Sequence, residues 1–295
     1  LGGGGAARDM RGRTPENSAA SHPLRDGVIA DFRATEAMIR TYLERIGGMP
    51  LRLFRPELIV SVPAGITSTE RRAVLEVGMK AGARLVYLVK QPLAAAIGAG
   101  IPIAESSGHM VLTIGGGTTQ AAVISLGGLV ATASARIGGA HLDAAIVEHV
   151  RKKYGLAIGE RTAEEMKFAI GSALTTEEER GFEIRGRDIA TGLPKEVTVM
   201  SNEVTEAMQE ELDAIAHTAR QVLQETPPEL SADVIDKGIV LTGGSALLRN
   251  LDKLIAKVTH VPATVADDPL RCVIQGIGVA IENLPAYRRS LVVAR

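Results

Sequence analysis

Residues 112–120 read Leu-Thr-Ile-Gly-Gly-Gly-Thr-Thr-Gln, and nothing else in the chain restricts its fold as much. An apolar strand runs into three successive residues without Cβ and leaves as a second apolar strand, Ala121–Leu126. Backbone of this kind lets several N–H groups converge on an anion, and Thr118 and Thr119 add hydroxyl donors. The same glycines would also suit a plain hairpin turn, so the loop alone does not decide between the two. The strand end before the turn carries Thr113. A phosphate loop that works with Mg²⁺ carries a carboxylate there, because a hard cation needs anionic oxygen. The loop is therefore suited to bind a phosphate and poorly equipped to hydrolyse one.

A second glycine motif, Ile239-Val240-Leu241-Thr242-Gly243-Gly244-Ser245-Ala246-Leu247, repeats the pattern of buried strand, glycine turn and expected helix start. The free N–H groups of a helix N-terminus favour an anion or a polar ligand. Two such turns, each at a strand end, suggest two domains closing on one ligand. A third element, Glu164-Glu165-Met166-Lys167, places a carboxylate and an ammonium three apart on one helix face. That pair could take ribose hydroxyls and a base edge together, or be an ordinary surface ion pair worth at most ~1 kcal/mol.

Along the chain, strands and helices alternate. Helices are expected over 31–46, 67–80 (opened by a Thr67-x-x-Glu70 capping box), 92–99, 141–154, 246–258 and 269–283; strands over 58–62, 84–89, 110–126, 129–136 and 238–241. Alternation of this kind is the mark of an α/β protein. The segment 160–230 is more charged, with helices near 162–170 and 202–225 around short strands at 182–199, and reads as an insertion ended by Pro227-Pro228.

Composition excludes several classes. Lys+Arg 33 against Asp+Glu 34 leaves a net charge of -1, so there is no basic field for nucleic acid, and aromatics at 3% with no Trp leave no stacking platform. With Cys272 as the one cysteine no intrachain disulfide forms, which fits a reducing cytosol, and its apolar setting makes it a small buried hydrophobe. No run approaches the ~18 apolar residues of a membrane span, and the N-terminus has no signal-peptide core. His22, His109, His141, His149, His217 and His260 are scattered without ligand spacing, and no metal site is expected. No serine sits in a nucleophile-elbow setting.

These elements, in this order, resemble the MreB family of bacterial actin homologues over nearly the whole chain. The matching stretches include Gly12-Arg13-Thr14-Pro15, Asp26-Gly27-Val28-Ile29-Ala30-Asp31-Phe32, Ala94-Ala95-Ala96-Ile97-Gly98-Ala99-Gly100, Ile114–Thr119, Arg136-Ile137-Gly138-Gly139, Glu160-Arg161-Thr162-Ala163-Glu164, Pro227-Pro228-Glu229-Leu230 and Leu241-Thr242-Gly243-Gly244. The resemblance implies an α/β, actin-like (ribonuclease H-like) two-lobed ATPase fold with mixed sheets flanked by helices. Lobe I would take 1–108 plus 269–295, the core of lobe II 109–159 plus 231–268, and an inserted small subdomain 160–230. It further implies ATP or ADP between the lobes. Gly115, Gly116, Gly117, Thr118 and Thr119 would meet the phosphates, Glu164, Glu165, Met166 and Lys167 the adenosine, and Gly243, Gly244, Ser245, Ala246 and Leu247 the nucleotide's other side. Asp143 faces the cleft in the family, although the acid three residues before it is here Ala140. The implied partners are further copies in a filament, cell-wall elongation proteins and the inner membrane surface, with the protein cytoplasmic and peripheral on that membrane.

The chain departs from the family on the hydrolytic side. The family's Asp-Ile-Gly-Gly-Gly-Thr-Thr-Glu has Thr113 for its Asp and Gln120 for its Glu, and the family's Glu-Glu-Pro is Lys90-Gln91-Pro92. A lysine protonated at neutral pH cannot accept a proton from the attacking water, though it can pair with a phosphate. Mg²⁺ binding is expected to be weakened and hydrolysis impaired. The family's N-terminal strand pair with its Asp-x-Gly-Thr phosphate loop is not in this chain, which opens with Leu1 as a chain begun inside a longer protein, or from a non-standard start codon, would.

The stretch Gly47-Gly48-Met49-Pro50-Leu51-Arg52-Leu53-Phe54-Arg55-Pro56 resembles the family's membrane loop. Leu53 and Phe54 could enter the acyl boundary while Arg52 and Arg55 meet headgroups at ~1 kcal/mol each, or the two apolar residues could simply lead into the next strand. The alternatives of another class are a non-polymerising Hsp70-like or sugar-kinase-like ATPase, and a structural co-subunit that binds no nucleotide.

Overall fold

The computed structural model describes residues 22–47, 55–283, 287 and 291–294. The loop with Leu53 and Phe54 lies outside the described residues, as does the Gly12–Pro15 motif.

The first elements are a two-stranded antiparallel hairpin, β1 (Leu24–Arg25) and β2 (Val28–Ile29), and a helix, α1 (Phe32–Gly47). Both turn residues of the hairpin, Asp26 (φ 49) and Gly27 (φ 76), are left-handed, the combination an Asp-Gly turn supplies at least strain. Next come β3 (Glu57–Val62), α2 (Ser68–Lys80), β4 (Leu85–Lys90) and α3 (Gln91–Gly98). The α2 capping box forms as expected, Thr67 Oγ1 accepting from Glu70 N and Glu70 Oε2 from Thr67 N. Strands β3 and β4 run parallel, and β13 (Leu291–Ala294) pairs antiparallel with β4 to complete a three-stranded sheet.

The second sheet is larger. β5 (His109–Ile114), β6 (Thr119–Ser125) and β7 (Gly128–Ala135) form a meander. The chain then runs through α4 (Gly139–Tyr154), β8 (Leu156–Ala157), α5 (Glu160–Ile170), β9 (Gly181–Asp188), β10 (Pro194–Met200), α6 (Ser201–Ala207), α7 (Gln209–Glu225) and α8 (Pro228–Lys237) before returning as β11 (Ile239–Thr242). After a 3₁₀ turn at Gly244–Leu247 come α9 (Leu251–Thr259), β12 (Ala263–Val265) and α10 (Cys272–Glu282). The sheet order is β12-β11-β5-β6-β7, with β12, β11 and β5 parallel. All six residues of β5 are buried, as expected for a strand covered on both faces.

Alternation along β5 and β6 divides the cores. Met110, Leu112, Ile114, Ala121 and Val123 join the large cluster built with α4, α5 and α7, while Val111, Ala122 and Ile124 pack on Leu93, Ala96 and Ile97 of α3. The opposite side of α3, with Ala94, joins Val89 and Ile277 in a further cluster that reaches Ile59 and Tyr87 of the first sheet. The small-residue helix α3 therefore lies between the two sheets, and α10 crosses it there. The third sheet, β10-β9-β8, is a hairpin with one short added strand.

Two expected helices differ from the structure. The run near 202–225 is broken at Met208, which sits at φ -92, ψ 0 between α6 and α7. Helix α7 then leaves the charged segment to lie along β6 and β7. The run over 246–258 is split because Asn250 takes a left-handed conformation (φ 59), separating the 3₁₀ turn from α9. Asparagine tolerates that region better than most residues, so the break is written in the sequence but hidden from apolar periodicity.

Candidate functional site

Three glycine turns meet at one end of the five-stranded sheet. The carbonyl of Gly115 accepts from Gly139 N (2.9 Å) and from Ser245 Oγ (2.9 Å), so a single peptide of the first turn ties in the other two. Gly116 O accepts from Ala140 N at 2.8 Å. The fit requires glycine: a Cβ at Gly243 would lie 2.3 Å from Ile114 O, and one at Gly138 2.5 Å from Gly115 O. The Asp26-Gly27 turn of the β1–β2 hairpin approaches as well. A Cβ at Gly117 would meet Asp26 N at 3.0 Å, and Asp26 Oδ1 lies 3.5 Å from His141 Nε2. His141 Nδ1 accepts from Gly138 N (3.2 Å), which leaves Nε2 as the nitrogen that faces the carboxylate.

Several expected contacts are corrected. Thr119 is fully buried and its hydroxyl donates to Ile137 O at 2.8 Å, so Thr118 alone remains at the loop as a hydroxyl donor. Alternation explains the difference, since consecutive strand residues point to opposite faces. Met166 and Ala246 are core residues, 0% and 1% exposed, and cannot line a ligand. Glu165 is exposed and pairs with Arg161 at 3.0 Å. Lys167 does not stand beside Glu164 as an open donor. It is buried, donates to Gly139 O (2.9 Å) and lies 2.7 Å from Asp143 Oδ1. The helix start expected after Gly243-Gly244 is a 3₁₀ turn whose Ser245 hydroxyl is committed to Gly115 O. Of the expected residues, Gly116 and Leu247 are exposed, and Gly117, Thr118, Glu164 and Gly244 partly so.

The Lys167–Asp143 pair ties α5 to α4. Its ammonium donates to the Gly139 carbonyl and forms a buried ion pair with Asp143. Burial pushes the Asp143 carboxyl above its ordinary range, partly offset by Lys167 and reinforced by Glu164 and Glu160.

Two of the positions that depart from the resembled pattern, Thr113 and Gln120, form a polar row with Thr242. Thr242, Thr113 and Gln120 are direct cross-strand neighbours on β11, β5 and β6. Thr113 and Thr242 share a buried hydroxyl–hydroxyl hydrogen bond of 2.8 Å. Gln120 Nε2 donates to Gln91 Oε1, and Gln120 Oε1 accepts from Ala64 N at 2.8 Å. Gln120 thereby bridges the second sheet to β3's exit and the start of α3. Arg136 adds a second bridge, donating to Glu70 Oε1 at 3.1 Å. These bridges and the Asp26–His141 contact are invisible to local patterning, because each joins residues far apart in sequence.

Two sheets joined through a buried helix crossing, with glycine turns clustered at the strand ends of the larger one, define an actin-like fold. A double-helical MamK filament structure shares it at TM-score 0.72 and 20% identity, covering 89% of this chain and 80% of that one. The crystal structure of MreB5 of Spiroplasma citri bound to ADP matches with TM-score 0.89 and 37% identity over 96% of this chain and 85% of its own. Among curated relatives, the cell shape-determining protein MreB of Escherichia coli (strain K12) is 50% identical over 285 residues, 97% of this chain and 82% of that protein. The cell shape-determining protein Mbl of Bacillus subtilis (strain 168) is 46% identical over 281 residues, 95% and 84%. The family model described as MreB/Mbl protein matches residues 1–289. The chain belongs to the MreB/Mbl family and is an MreB-type, actin-like cell-shape protein.

Proposed function

We propose that the protein binds adenine nucleotide at the junction of the three glycine turns, assembles with its own copies into filaments, and organises cell-wall synthesis for rod-shape maintenance with weak or no ATP hydrolysis. The observation that carries the nucleotide reading is the tie of the turns at 115–117, 138–139 and 243–245 through the Gly115 carbonyl. That tie leaves Gly116 and Thr118 open beside the Asp26 turn. In support, the related Spiroplasma citri MreB5 has been crystallised with ADP and with AMPPNP. Filament formation is supported by family membership and by the shared fold of the MamK filament.

Impaired hydrolysis follows from the polar row. No carboxylate stands at 90, 91, 113 or 120, and the side chains of Thr113, Gln91 and Gln120 are held by one another or by Thr242. Pelleting with and without ATP, with phosphate release followed in the same samples, tests both halves of the proposal. ATP-dependent sedimentation with release far below that of an MreB bearing the family acids is expected. Turnover equal to such a relative would refute the hydrolysis half, and sedimentation indifferent to nucleotide would favour the co-subunit alternative. The combined variant Thr113→Asp, Lys90→Glu, Gln91→Glu should recover part of the turnover; Gln120 can still donate to a carboxylate at 91.

Among the described residues no helix is long and apolar enough to cross a membrane. We assign membrane contact to the 49–56 loop, peripheral at the inner membrane on the cytoplasmic side. One loop binds weakly, so attachment depends on many subunits acting together. Flotation with anionic liposomes should be lost in Leu53→Ser/Phe54→Ser, and undiminished recovery would remove the loop from the proposal.

A further inference from the structure

Two large apolar side chains lie open to solvent beside the three-turn junction: Phe168, 66% exposed, and Leu247, 58% exposed. Phe168 directly follows Lys167 on α5, and Leu247 ends the 3₁₀ turn. The two segments that carry them are tied together on either side of both residues. On one side, Ser245 Oγ and Lys167 Nζ flank Gly139, where a Cβ would meet them at 2.7 and 3.4 Å. On the other, Arg249 donates to the carbonyls of Ala169 (2.8 Å) and Gly171 (3.1 Å), and Ala173 N donates to Arg249 O at 2.7 Å. Phe168 and Leu247 therefore sit on adjoining segments, each between two sets of fixed contacts. Single exposed apolar residues are ordinary, but a pair framed in this way at a candidate site is informative.

The Phe168 ring is itself held. Lys167 Nζ lies over it, 5.5 Å from the centroid, and Lys167 is fixed in turn by Gly139 O and Asp143. A ring already positioned loses little rotamer freedom when a ligand packs on it. The polar groups nearby are committed to other partners. Lys167 is buried, Ser245 donates to Gly115 O, and Glu165 pairs with Arg161. What the pair offers a ligand is apolar surface and one π-system. A nucleotide whose phosphates lie on the turn at 115–118 has one flat, weakly polar part left to bury, its base.

From this juxtaposition we infer that Phe168 and Leu247 clamp the base of the bound nucleotide, Phe168 by stacking on one face and Leu247 by covering the other. The inference rests on the nucleotide site proposed above and adds how that site holds the base. One ring cannot serve a strand of bases, but it suffices for one. Stacking requires a π-face and no particular donor pattern, so the clamp favours purines over the smaller pyrimidines. Phe168 is thereby a specificity-determining residue.

The test exploits the absence of tryptophan from the chain. In the full chain bearing Phe168→Trp, tryptophan emission should be quenched by ATP and unchanged by inorganic tripolyphosphate, which has no base. By calorimetric titration, Phe168→Ala should bind ATP about tenfold more weakly or worse, with Phe168→Tyr within about threefold of the parent. The parent should prefer ATP to CTP, and that preference should shrink in Phe168→Ala. Because Phe168 is exposed, these variants should keep the parent's circular dichroism. Full ATP affinity in folded Phe168→Ala, or an unquenched Phe168→Trp that still binds ATP, would overturn the clamp and leave the nucleotide site standing. Sedimentation lost in Phe168→Ala at unchanged ATP affinity would assign this face to a contact between copies and overturn it equally. A parent that binds neither ATP nor tripolyphosphate would remove the nucleotide site itself.

Discussion

Gly276→Ala is expected to destabilise the protein by ~3 kcal/mol or more, read as a lower urea midpoint, or to prevent folding altogether. Two effects oppose each other. Gly276 lies inside helix α10, where alanine is intrinsically better than glycine by ~1 kcal/mol. Against this, a Cβ at Gly276 would sit 1.8 Å from the carbonyl oxygen of Ala94, and one at Gly98 would sit 1.7 Å from that of Cys272. Each helix presses its backbone into the glycine of the other. A side chain could rotate away from such an overlap, but a helical carbonyl cannot, so α3 and α10 would have to separate. Separation would also loosen Leu93 and Ile97 from the larger sheet and Ala94 from the smaller one, since α3 lies between them. Packing therefore outweighs propensity. Gly278, two residues further on in α10, is the matched control: a Cβ there meets nothing within 4 Å. Gly278→Ala should be neutral or stabilising by up to ~1 kcal/mol. If both variants behaved alike, the backbone-to-backbone crossing would be wrong.

That crossing also shows where sequence reading reaches its limit. The small-residue stretch 92–99 announces a tightly packed helix and 269–283 reads as another, yet nothing local to either says that the two cross at Gly98 and Gly276. Elements defined by local physics were legible. The Thr67 capping box and the β5–β6 hairpin with its glycine turn depend on spacings of a few residues. Side-chain destinations within the site were not. Lys167 looks like half of an exposed pair with Glu164 until α4 and α5 are packed and Asp143 is found beneath it. Thr119 looks like a second phosphate donor until β7 places the Ile137 carbonyl against it. Thr113 and Gln120, two of the residues that depart from the family, were visible singly. Their joining with Thr242 into one cross-strand row required the register of β11, β5 and β6.

The buried charge on α5 gives the second large effect. Lys167→Met preserves much of the side-chain volume but removes the cation 2.7 Å from Asp143, whose side chain is only 12% exposed. Breaking a buried pair from one side costs about 3–5 kcal/mol, because the remaining charge stays desolvated. The Gly139 carbonyl also loses its donor, about 1 kcal/mol more at most. The pH dependence identifies the cause. Burial already holds the Asp143 carboxyl above its ordinary value of 3.8, and without Lys167 it rises further. An acid whose folded pKa is raised binds its proton more tightly in the folded state. Its contribution to stability is therefore greatest when protonated, and declines as pH rises from the unfolded value to the folded one. The variant's deficit relative to the parent should thus be largest near about pH 7 and shrink towards about pH 5, with the parent showing a weaker trend of the same sign. Removing both charges, as Lys167→Met/Asp143→Leu, should restore stability to within about 1–2 kcal/mol of the parent, since a matched apolar pair leaves no stranded charge. A deficit unchanged across this pH range, or a double variant no better than the single, would mean that Asp143 is reached by water and that the strut between α4 and α5 holds by packing alone.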